Sequence, residues 1–346
     1  MDGRGLSQFE IFRQLRFPMI VLVTFAHSYG RVEDSFALLA SDWNTYEFLK
    51  LLVSQTLVKV AMPVFFIMSG YLFFANVDKW DIAIYKKKIM RRVNTLLIPY
   101  LIWNLLMAVK QKAFSMSILW AYWNPAGTQI DWFGHEQLMT APANMPLWFL
   151  RDLMVVSLLT PILYILVRKF GYWLMAVLTV LYLSGVCAFI PGLSAYAVFF
   201  FTLGAFFSIR RTDLIEIFRR FEWPAYGLSV ILAISMLLTY HTSVFSSLML
   251  CFRITGSIAV FCLASRILST TSRRLPSLVC DSTYFIYLAH YVFFFSFIDT
   301  AFFAIIGTST PALSIHYLLA PLIKVVIFTI IYIAYKKLIQ HHIYFN

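Results

Sequence analysis

Charged side chains are scarce in this sequence, and their scarcity excludes a soluble globular fold. Only 13% of the 346 residues are Asp, Glu, Lys or Arg, whereas 61% are hydrophobic and 18% are aromatic. A soluble domain carries about a quarter charged residues and about half apolar ones. A chain of this composition cannot cover its surface with polar groups, so its solvent must be a lipid bilayer.

Acidic residues and cysteines are also few. The chain has 16 acidic against 28 basic residues, which gives a formal net charge of +12. The basic residues lie in short segments between apolar runs, which indicates positive-inside topology rather than a nucleic-acid partner. Four cysteines, Cys187, Cys251, Cys262 and Cys280, lie in or beside apolar segments and lack the spacing of zinc ligands or disulfides. We therefore expect neither a nucleic-acid partner nor a bound metal.

Apolar segments long enough to cross a bilayer recur along the whole chain. Ten transmembrane helices are predicted, at residues 9–30, 48–74, 95–113, 147–167, 171–189, 194–209, 224–241, 245–267, 284–306 and 313–335. An even number of spans places both termini on one side, and most Lys and Arg residues then fall in inner segments if that side is the cytoplasm. The sequence thus predicts an all-α polytopic membrane bundle with cytoplasmic termini and a single domain over 1–346.

The first span carries an arginine and a histidine at a spacing that favours one helix face. Arg16 and His27 are eleven positions apart, almost three helical turns, which is about 16 Å along the axis. Arginine binds phosphate well, and histidine exchanges a proton near neutral pH. The pair can therefore clamp an anion near the cytoplasm and supply a base deeper in the membrane. The alternative is that Arg16 is a positive-inside anchor and His27 is an interfacial histidine.

The second and third spans meet at a small-residue pair and a basic run. The second span ends in Ser69, Gly70 and Tyr71, where a small pair permits close approach of another helix or of a ligand. The third span is preceded by a basic cluster that includes Arg91 and Arg92. That cluster can anchor the inner loop, bind lipid headgroups, or hold the phosphates of a nucleotide-like cofactor.

The outer side is predicted to carry aromatic and ion-paired residues. The longest loop, 114–146, carries the aromatic residues Trp120, Tyr122, Trp123, Trp132 and Phe133, which suits an interfacial belt or a platform for sugar rings. The fourth span then opens with Trp148, Arg151 and Asp152, of which Trp148 and Asp152 share a helix face. The acidic residue can pair with its neighbour or, if the helices touch, orient His27.

The late spans add polar groups that a simple scaffold does not need. Tyr287 and His290 are three positions apart and can face one cavity. Ionisable residues placed deep in spans face the bundle interior or water by default. Besides the histidine, these deep residues are Lys59, Arg253, Asp299 and Lys324. Together they predict a polar cavity inside the bundle.

The order of these motifs resembles the membrane acyltransferase-3 family. The resemblance rests on Arg-x10-His in the first span, Phe-Phe-Ile-Met-Ser-Gly-Tyr ending the second, a basic run into Leu-Ile-Pro-Tyr-Leu-Ile-Trp, then Pro-Leu-Trp-Phe-Leu-Arg-Asp, and a late Tyr-Leu-Ala-His. It covers essentially the whole chain. It implies an acyltransferase of the class that transfers groups other than amino-acyl groups, in the bacterial inner membrane. Such enzymes move an acyl group, usually acetyl, from cytoplasmic acyl-CoA to hydroxyls of surface or lipid-linked glycans in polysaccharide biosynthesis.

The resemblance also implies roles for particular residues. The expected catalytic residues are Arg16, His27, Tyr287 and His290. The expected acyl-CoA contacts are Arg16, Ser69, Gly70, Tyr71, Arg91 and Arg92, and the expected acceptor contacts are Lys59, Trp148, Arg151 and Asp152. Acyl-CoA is expected as a co-substrate, without a tightly bound cofactor, and the other partners are the glycan acceptor and membrane lipids. A rival hypothesis is a transporter or flippase of a lipid-linked glycan or anion, which needs the buried charges but neither CoA nor a catalytic base.

Overall fold

The computed structural model describes residues 7–28, 38, 43–77, 80–115, 142–185, 188–190, 192–293 and 296–345. Helices dominate these residues, beside one short antiparallel hairpin formed by strands β1 (Ala188–Ile190) and β2 (Leu193–Ser194). The α-helices are α1 Gln8–Ser28, α2 Thr45–Leu49, α3 Ala61–Phe74, α4 Ile82–Arg92, α5 Ile98–Ser115, α6 Trp148–Leu158, α7 Thr160–Leu183, α8 Ala195–Ile209, α9 Leu214–Arg219, α10 Glu222–Leu238, α11 Ser243–Thr270, α12 Ser277–Ala289, α13 Ser296–Ile306 and α14 Thr310–Phe345. Most of the predicted outer loop at 114–146 lies outside the described residues, as does Cys187.

Several predicted spans coincide with helices of the structure. Within the described residues, five helices are long and apolar enough to cross a membrane. They cover Thr45–Phe74, Ile82–Lys110, Thr160–Leu183, Ser243–Thr270 and Thr310–Ile339. The first of them joins α2 to α3 through the π-helical stretch Lys50–Thr56 and the 3-10 stretch Leu57–Val60. The all-α class is therefore confirmed, while the count of ten spans stays a prediction.

The described residues divide into two compact units. The first unit comprises residues 1–65, 213–290 and 295–346, and the second comprises 66–212 and 291–294. In the first unit, α1 is held against α12 and α14. Gln14 exchanges hydrogen bonds with the backbone of Leu275 at 2.8 and 3.2 Å, and Phe25 packs on Tyr317 with ring centroids 5.6 Å apart.

The second unit is built around two helices in close backbone contact, α3 and α8. A Cβ at Gly70 would collide with the carbonyl oxygen of Phe201, and a Cβ at Gly204 would collide with that of Ile67. The two glycines therefore let the helix backbones touch, as small residues do in membrane helix pairs. Ser194 caps α8 by accepting a hydrogen bond from the N–H of Ala197 at 3.0 Å.

The chain reverses direction within the stretch predicted as two spans, 147–167 and 171–189. The rings of Trp148 and Tyr182 lie 6.1 and 6.2 Å from the ring of Tyr196, so the two can be no more than about 12 Å apart. A straight helix would separate them by about 50 Å. The loop predicted between these two spans, at Arg168 and Lys169, is wrong, because both residues lie inside α7. The break between helices lies earlier, between the end of α6 at Leu158 and the start of α7 at Thr160.

The predicted ninth span, 284–306, is not one continuous helix. α12 ends at Ala289, and α13 begins only at Ser296. The carbonyls of Ile286 and Tyr287, which lie in the last turn of α12, contact the imidazole of His290, the residue that follows this helix. The segment contains neither proline nor glycine, so no local signal in the sequence predicts the break.

The predicted orientation can be tested at the two ends of α11. Thr242 precedes this helix and Ser272 follows it, and both residues are exposed. In a cysteine-free background, we expect Thr242→Cys to react with an impermeant thiol reagent on intact cells, and Ser272→Cys to react only after lysis. The reason is the concentration of basic residues on the side assigned to the cytoplasm. The opposite labelling pattern would reverse the topology.

Candidate functional site

The first unit brings Arg16 and His27 onto the side of α1 that meets α12. The imidazole rings of His27 and His290 have centroids 5.4 Å apart. Almost three turns earlier on α1, the Arg16 guanidinium lies close enough to the Asp281 carboxylate for the two charges to interact. Arg16 and His27 therefore do share one face, as their spacing predicts. The sequence did not indicate the interaction between Arg16 and Asp281.

His290 has a defined tautomer in this arrangement. Its Nδ1 atom lies 2.8 Å from the carbonyl oxygen of Tyr287 and 3.1 Å from that of Ile286. A carbonyl oxygen only accepts, so Nδ1 must carry the proton and Nε2 presents a lone pair in the neutral ring. The side chain is only 4% exposed, and among the described residues Nε2 has no hydrogen-bond partner. A buried acceptor is thus available beside His27.

Lys59 borders this histidine pair, and Arg253 borders Lys59 in turn. Lys59 Nζ donates to Gln55 Oε1 at 3.2 Å, and the ammonium interacts electrostatically with His27 and with Arg253. Lys59 follows the seven-residue π-helical stretch Lys50–Thr56, and such irregular turns recur at functional sites. Tyr287 is buried with its ring 6.2 Å from that of His290. The site therefore combines two imidazoles, a phenol and positive charge.

Asp299 interacts with two residues of α14, His316 and Lys324. Asp299 Oδ1 lies 3.0 Å from His316 Nε2 and 3.9 Å from Lys324 Nζ. The two partners are each only 4% exposed, and Lys324 also interacts electrostatically with His290. Sequence reasoning noted Lys324 and Asp299 as deep charges but missed His316. In the sequence, His316 is marked only as a histidine within an apolar segment.

In the second unit, Ser69 and Arg92 meet although they are far apart in sequence. Arg92 Nη2 donates to Ser69 Oγ at 2.9 Å, and the guanidinium carbon lies 5.1 Å from the Phe73 ring centroid. Lys88 Nζ lies 5.4 Å from the same ring. The preceding arginine, Arg91, has an exposed side chain. Of the two predicted arginines, it is Arg92 that joins the Ser-Gly motif.

The rest of that motif is explained by packing. The space beside Gly70 is filled by the backbone of Phe201, and Tyr71 is 7% exposed. We expect Gly70→Ala to cost about 1–3 kcal/mol of stability, because the added methyl group must push two helix backbones apart. Thermal unfolding in detergent measures the loss.

The matched control for this substitution is Gly227→Ala. Gly227 lies within α10, and among the described residues no atom outside its own stretch of helix comes within 4 Å of the position that its Cβ would take. Alanine there should be neutral or stabilise the protein by about 0.5–1 kcal/mol. Equal melting temperatures for the two variants would contradict the packing role of Gly70.

The predicted acceptor residues of the fourth span lie in well-packed surroundings. Trp148 sits among aromatic rings, 6.4 Å from Phe66 and 6.1 Å from Tyr196 between centroids. Asp152 is buried and uses both carboxylate oxygens: Oδ1 pairs with Arg151 at 3.1 Å, and Oδ2 accepts from Ser194 Oγ at 2.9 Å. Asp152 thus joins α6 to the cap of α8. Among the described residues, no group of three or more His, Cys, Asp and Glu side chains is arranged to hold a metal ion.

Comparison with known proteins identifies the family. A family model described as an acyltransferase domain, acyltransferase 3, matches residues 11–335. The chain belongs to the acyltransferase-3 family. A curated relative is the succinoglycan biosynthesis protein ExoH of Rhizobium meliloti (strain 1021), which is 26% identical over 180 residues. That match covers 49% of this chain and 45% of the relative, so the chain spans about half the length of the curated relative it matches. No solved structure matches the chain.

Family membership and the apolar helices together identify an integral membrane protein of an acyltransferase family. The family match extends from α1 to α14 and so includes His27 and His290 of the first unit and the Ser69–Arg92 contact of the second. The assignment of individual residues to donor, acceptor and catalysis stays a prediction, as does the single domain over 1–346.

Proposed function

We propose that the protein is an acyl-CoA-dependent O-acyltransferase of the bacterial plasma membrane. It transfers an acyl group, acetyl in the first instance, from cytoplasmic acyl-CoA to a hydroxyl of a cell-surface or lipid-linked glycan. Membership of the acyltransferase-3 family supports the reaction class. The succinoglycan biosynthesis relative, from a bacterium, supports a glycan acceptor.

The observation that carries this proposal is the His27–His290 pair, with ring centroids 5.4 Å apart and one imidazole that presents an acceptor nitrogen. Acyl transfer to a hydroxyl needs a group that removes the hydroxyl proton, and histidine is the side chain most often used. His27 supplies that base. His290 Nε2 accepts a hydrogen bond from the bound acceptor and so orients it, which is consistent with the buried lone pair.

The reaction balances without an external proton source. The acceptor oxygen attacks the thioester carbonyl carbon while its proton moves to His27. The negative charge that develops on the carbonyl oxygen is stabilised by the nearby Lys59 ammonium. The carbon–sulfur bond then breaks, and the CoA thiolate takes the proton from the His27 imidazolium. An ester and free CoA are the products.

The donor is proposed to bind through its phosphates. Arg92, fixed by Ser69 and by the Phe73 ring, offers a guanidinium whose remaining N–H groups suit a phosphate. Arg16 supplies a second cation on the helix that carries His27. The Asp281 carboxylate lies near Arg16 and offsets part of the positive charge of the Arg16 guanidinium. We therefore assign the larger share of the affinity for the donor to Arg92.

The proposal is tested with purified protein, acetyl-CoA and glycan acceptors. Release of free CoA should depend on both the protein and the acceptor, and acceptor-independent hydrolysis should be slow. Absence of release with any acyl-CoA over a range of acceptors would contradict the proposal. Uptake of a lipid-linked glycan into proteoliposomes in the same preparation would then favour the transporter.

His290 can be tested with a pair of amide substitutions. His290→Asn places an N–H near the position of Nδ1, so the contact with the carbonyls of Ile286 and Tyr287 is kept while Nε2 is removed. We expect transfer to fall roughly 10- to 100-fold, less than the ~10²–10⁴-fold typical of a lost general base, with unchanged thermal stability. His290→Gln, which places an amide near Nε2, should recover part of the activity. Equal activity of the Asn variant and the unmodified protein would show that Nε2 plays no part in transfer.

A further inference from the structure

A second basic site lies in the second unit, apart from the Ser69–Arg92 contact. A cavity of about 290 Å³ opens where α3 and α8 end. The described residues that line it are Phe74, Val77, Tyr164, Arg168, Ile209 and Arg211. Two of these are arginines and none carries a carboxylate. A pocket that presents two guanidinium groups suits an anionic ligand.

Arg211 occupies a left-handed backbone position just after α8. Arg211 has φ +56°, in the left-handed region. The following N–H, of Thr212, bonds to the carbonyl of Phe207 at 3.0 Å, which is the closing bond of a Schellman motif. Glycine is the usual residue at this point of the motif, because any side chain is strained there. The motif thus fixes the backbone position from which the Arg211 side chain reaches the cavity lining.

The second arginine is held in place by aromatic residues. Arg168 Nη1 donates to Tyr164 Oη at 3.2 Å, and its guanidinium carbon lies 5.7 Å from the ring centroid. Tyr164 is itself stacked near Phe74 and Trp80, at centroid distances of 6.0 and 5.6 Å. The guanidinium is therefore preorganised at the cavity wall, which reduces the entropy lost when a ligand binds.

The cavity adjoins the proposed donor contact. Phe74 lines the cavity, and its neighbour Phe73 lies under the Arg92 guanidinium. CoA carries two separate anionic groups, a 5′-diphosphate and a 3′-phosphate on the ribose. A volume of about 290 Å³ is at the lower end of ligand pockets, which fits a phosphate with part of a ribose rather than a whole nucleotide.

We infer that Arg168 and Arg211 bind the 3′-phosphate of the acyl-CoA donor, while Arg92 contacts the diphosphate. This inference rests on the proposed function. It makes the cavity the element that distinguishes CoA from donors that lack the 3′-phosphate, such as dephospho-CoA or a pantetheine thioester. The same phosphate chemistry occurs in anionic phospholipid headgroups, so the test must separate the two sources.

The test compares the affinities of CoA and 3′-dephospho-CoA for the purified full chain, measured by calorimetry. The unmodified protein should prefer CoA by roughly tenfold or more, as the loss of a charge-assisted hydrogen bond implies. Arg168→Gln and Arg211→Gly should each lower CoA affinity by about tenfold and leave dephospho-CoA affinity unchanged. Arg211→Gly also keeps its fold, because glycine adopts the left-handed conformation without strain.

The matched control is Arg210→Gln, which removes the same charge from the same turn. The Arg210 guanidinium lies over the rings of Tyr172 and Phe206, at 5.1 and 5.5 Å, and does not line the cavity. This variant should keep the preference for CoA.

Three outcomes would overturn the inference. One is equal affinity of the unmodified protein for CoA and dephospho-CoA. Another is a preference for CoA over dephospho-CoA that persists in both the Arg168→Gln and the Arg211→Gly proteins. The third is that the two substitutions abolish binding of short-chain phosphatidylglycerol to the detergent-solubilised protein but leave the CoA preference intact, which would make the cavity a lipid site. Failure of the unmodified protein to bind either CoA compound, together with no transfer from any acyl-CoA, would instead refute the proposed function itself.

Discussion

Replacement of His27 by alanine should abolish acyl transfer while the protein stays folded and still binds acyl-CoA. Loss of a general base typically costs ~10²–10⁴ in rate, and loss of a covalent acyl carrier costs more because the two-step route disappears. His27 lies at the end of α1, in contact with His290 and near Lys59, so the substitution removes the proton acceptor without removing the cationic surroundings. The rate is measured as labelled acyl group transferred per enzyme.

The controls for His27→Ala separate chemistry from folding. Thermal unfolding and CoA affinity should match those of the unmodified protein, since the side chain is only partly buried. His241→Asn is a matched surface substitution, because His241 is exposed in a turn with φ +69° and asparagine tolerates that conformation. It should retain full activity. A well-folded His27→Ala protein with near-normal transfer would show that the assigned base is wrong.

Replacement of Arg92 by glutamine should weaken acyl-CoA binding by roughly 10- to 150-fold. A hydrogen bond to a charged group is worth about 1.5–3 kcal/mol, and the substitution removes the guanidinium that Ser69 and Phe73 hold in place. The effect should appear in the affinity for CoA and in KM, with a smaller change in kcat, since the phosphates are remote from the reacting thioester. Calorimetry and initial rates measure the two effects.

The neighbouring residue offers the control. Arg91→Gln removes the same charge one position earlier, where the side chain is exposed. We expect at most a twofold change in affinity, because an exposed charge contributes little in screened solvent. If the two variants lose affinity equally, the basic run acts as a diffuse charge and the specific Ser69–Arg92 contact carries no donor binding.

Features set by local periodicity could be predicted from the sequence. The helix predicted over residues 9–30 and the shared face of Arg16 and His27 follow from 3.6 residues per turn. Helix α1 confirms the shared face, and it confirms the helix as far as Ser28, the last residue described there. The apolar segments around 48–74, 194–209 and 245–267 likewise coincide with helical segments. These predictions need only the length and polarity of each segment.

Features that depend on tertiary contacts could not be predicted. The break after Ala289 has no proline or glycine to mark it, and His290 contacts the last carbonyls of α12 through its own side chain. The interaction of Asp299 with His316 joins two helices across 17 positions, a spacing that no periodicity selects. Arg16 was expected to be a phosphate clamp, and the proximity of Asp281 became visible only when α1 and α12 were packed together.

The two glycine positions illustrate the same limit. Gly70 was consistent with either helix packing or a ligand, and its sequence neighbours could not decide between them. The partner that decides is Phe201, which lies more than a hundred residues away and places its carbonyl where a Cβ would be. A close approach of two backbones is reciprocal, and Gly204 on α8 provides the matching gap against Ile67.

This chain is proposed to form a glycan ester from acyl-CoA through His27. The most direct measurement is mass spectrometry of the glycan after incubation of purified protein with isotope-labelled acetyl-CoA and a lipid-linked or surface glycan. We predict a labelled acetyl group on the glycan, released by mild base as expected for an ester, and its absence with His27→Ala. A glycan without label from the active preparation, or equal labelling by the His27→Ala protein, would contradict that claim.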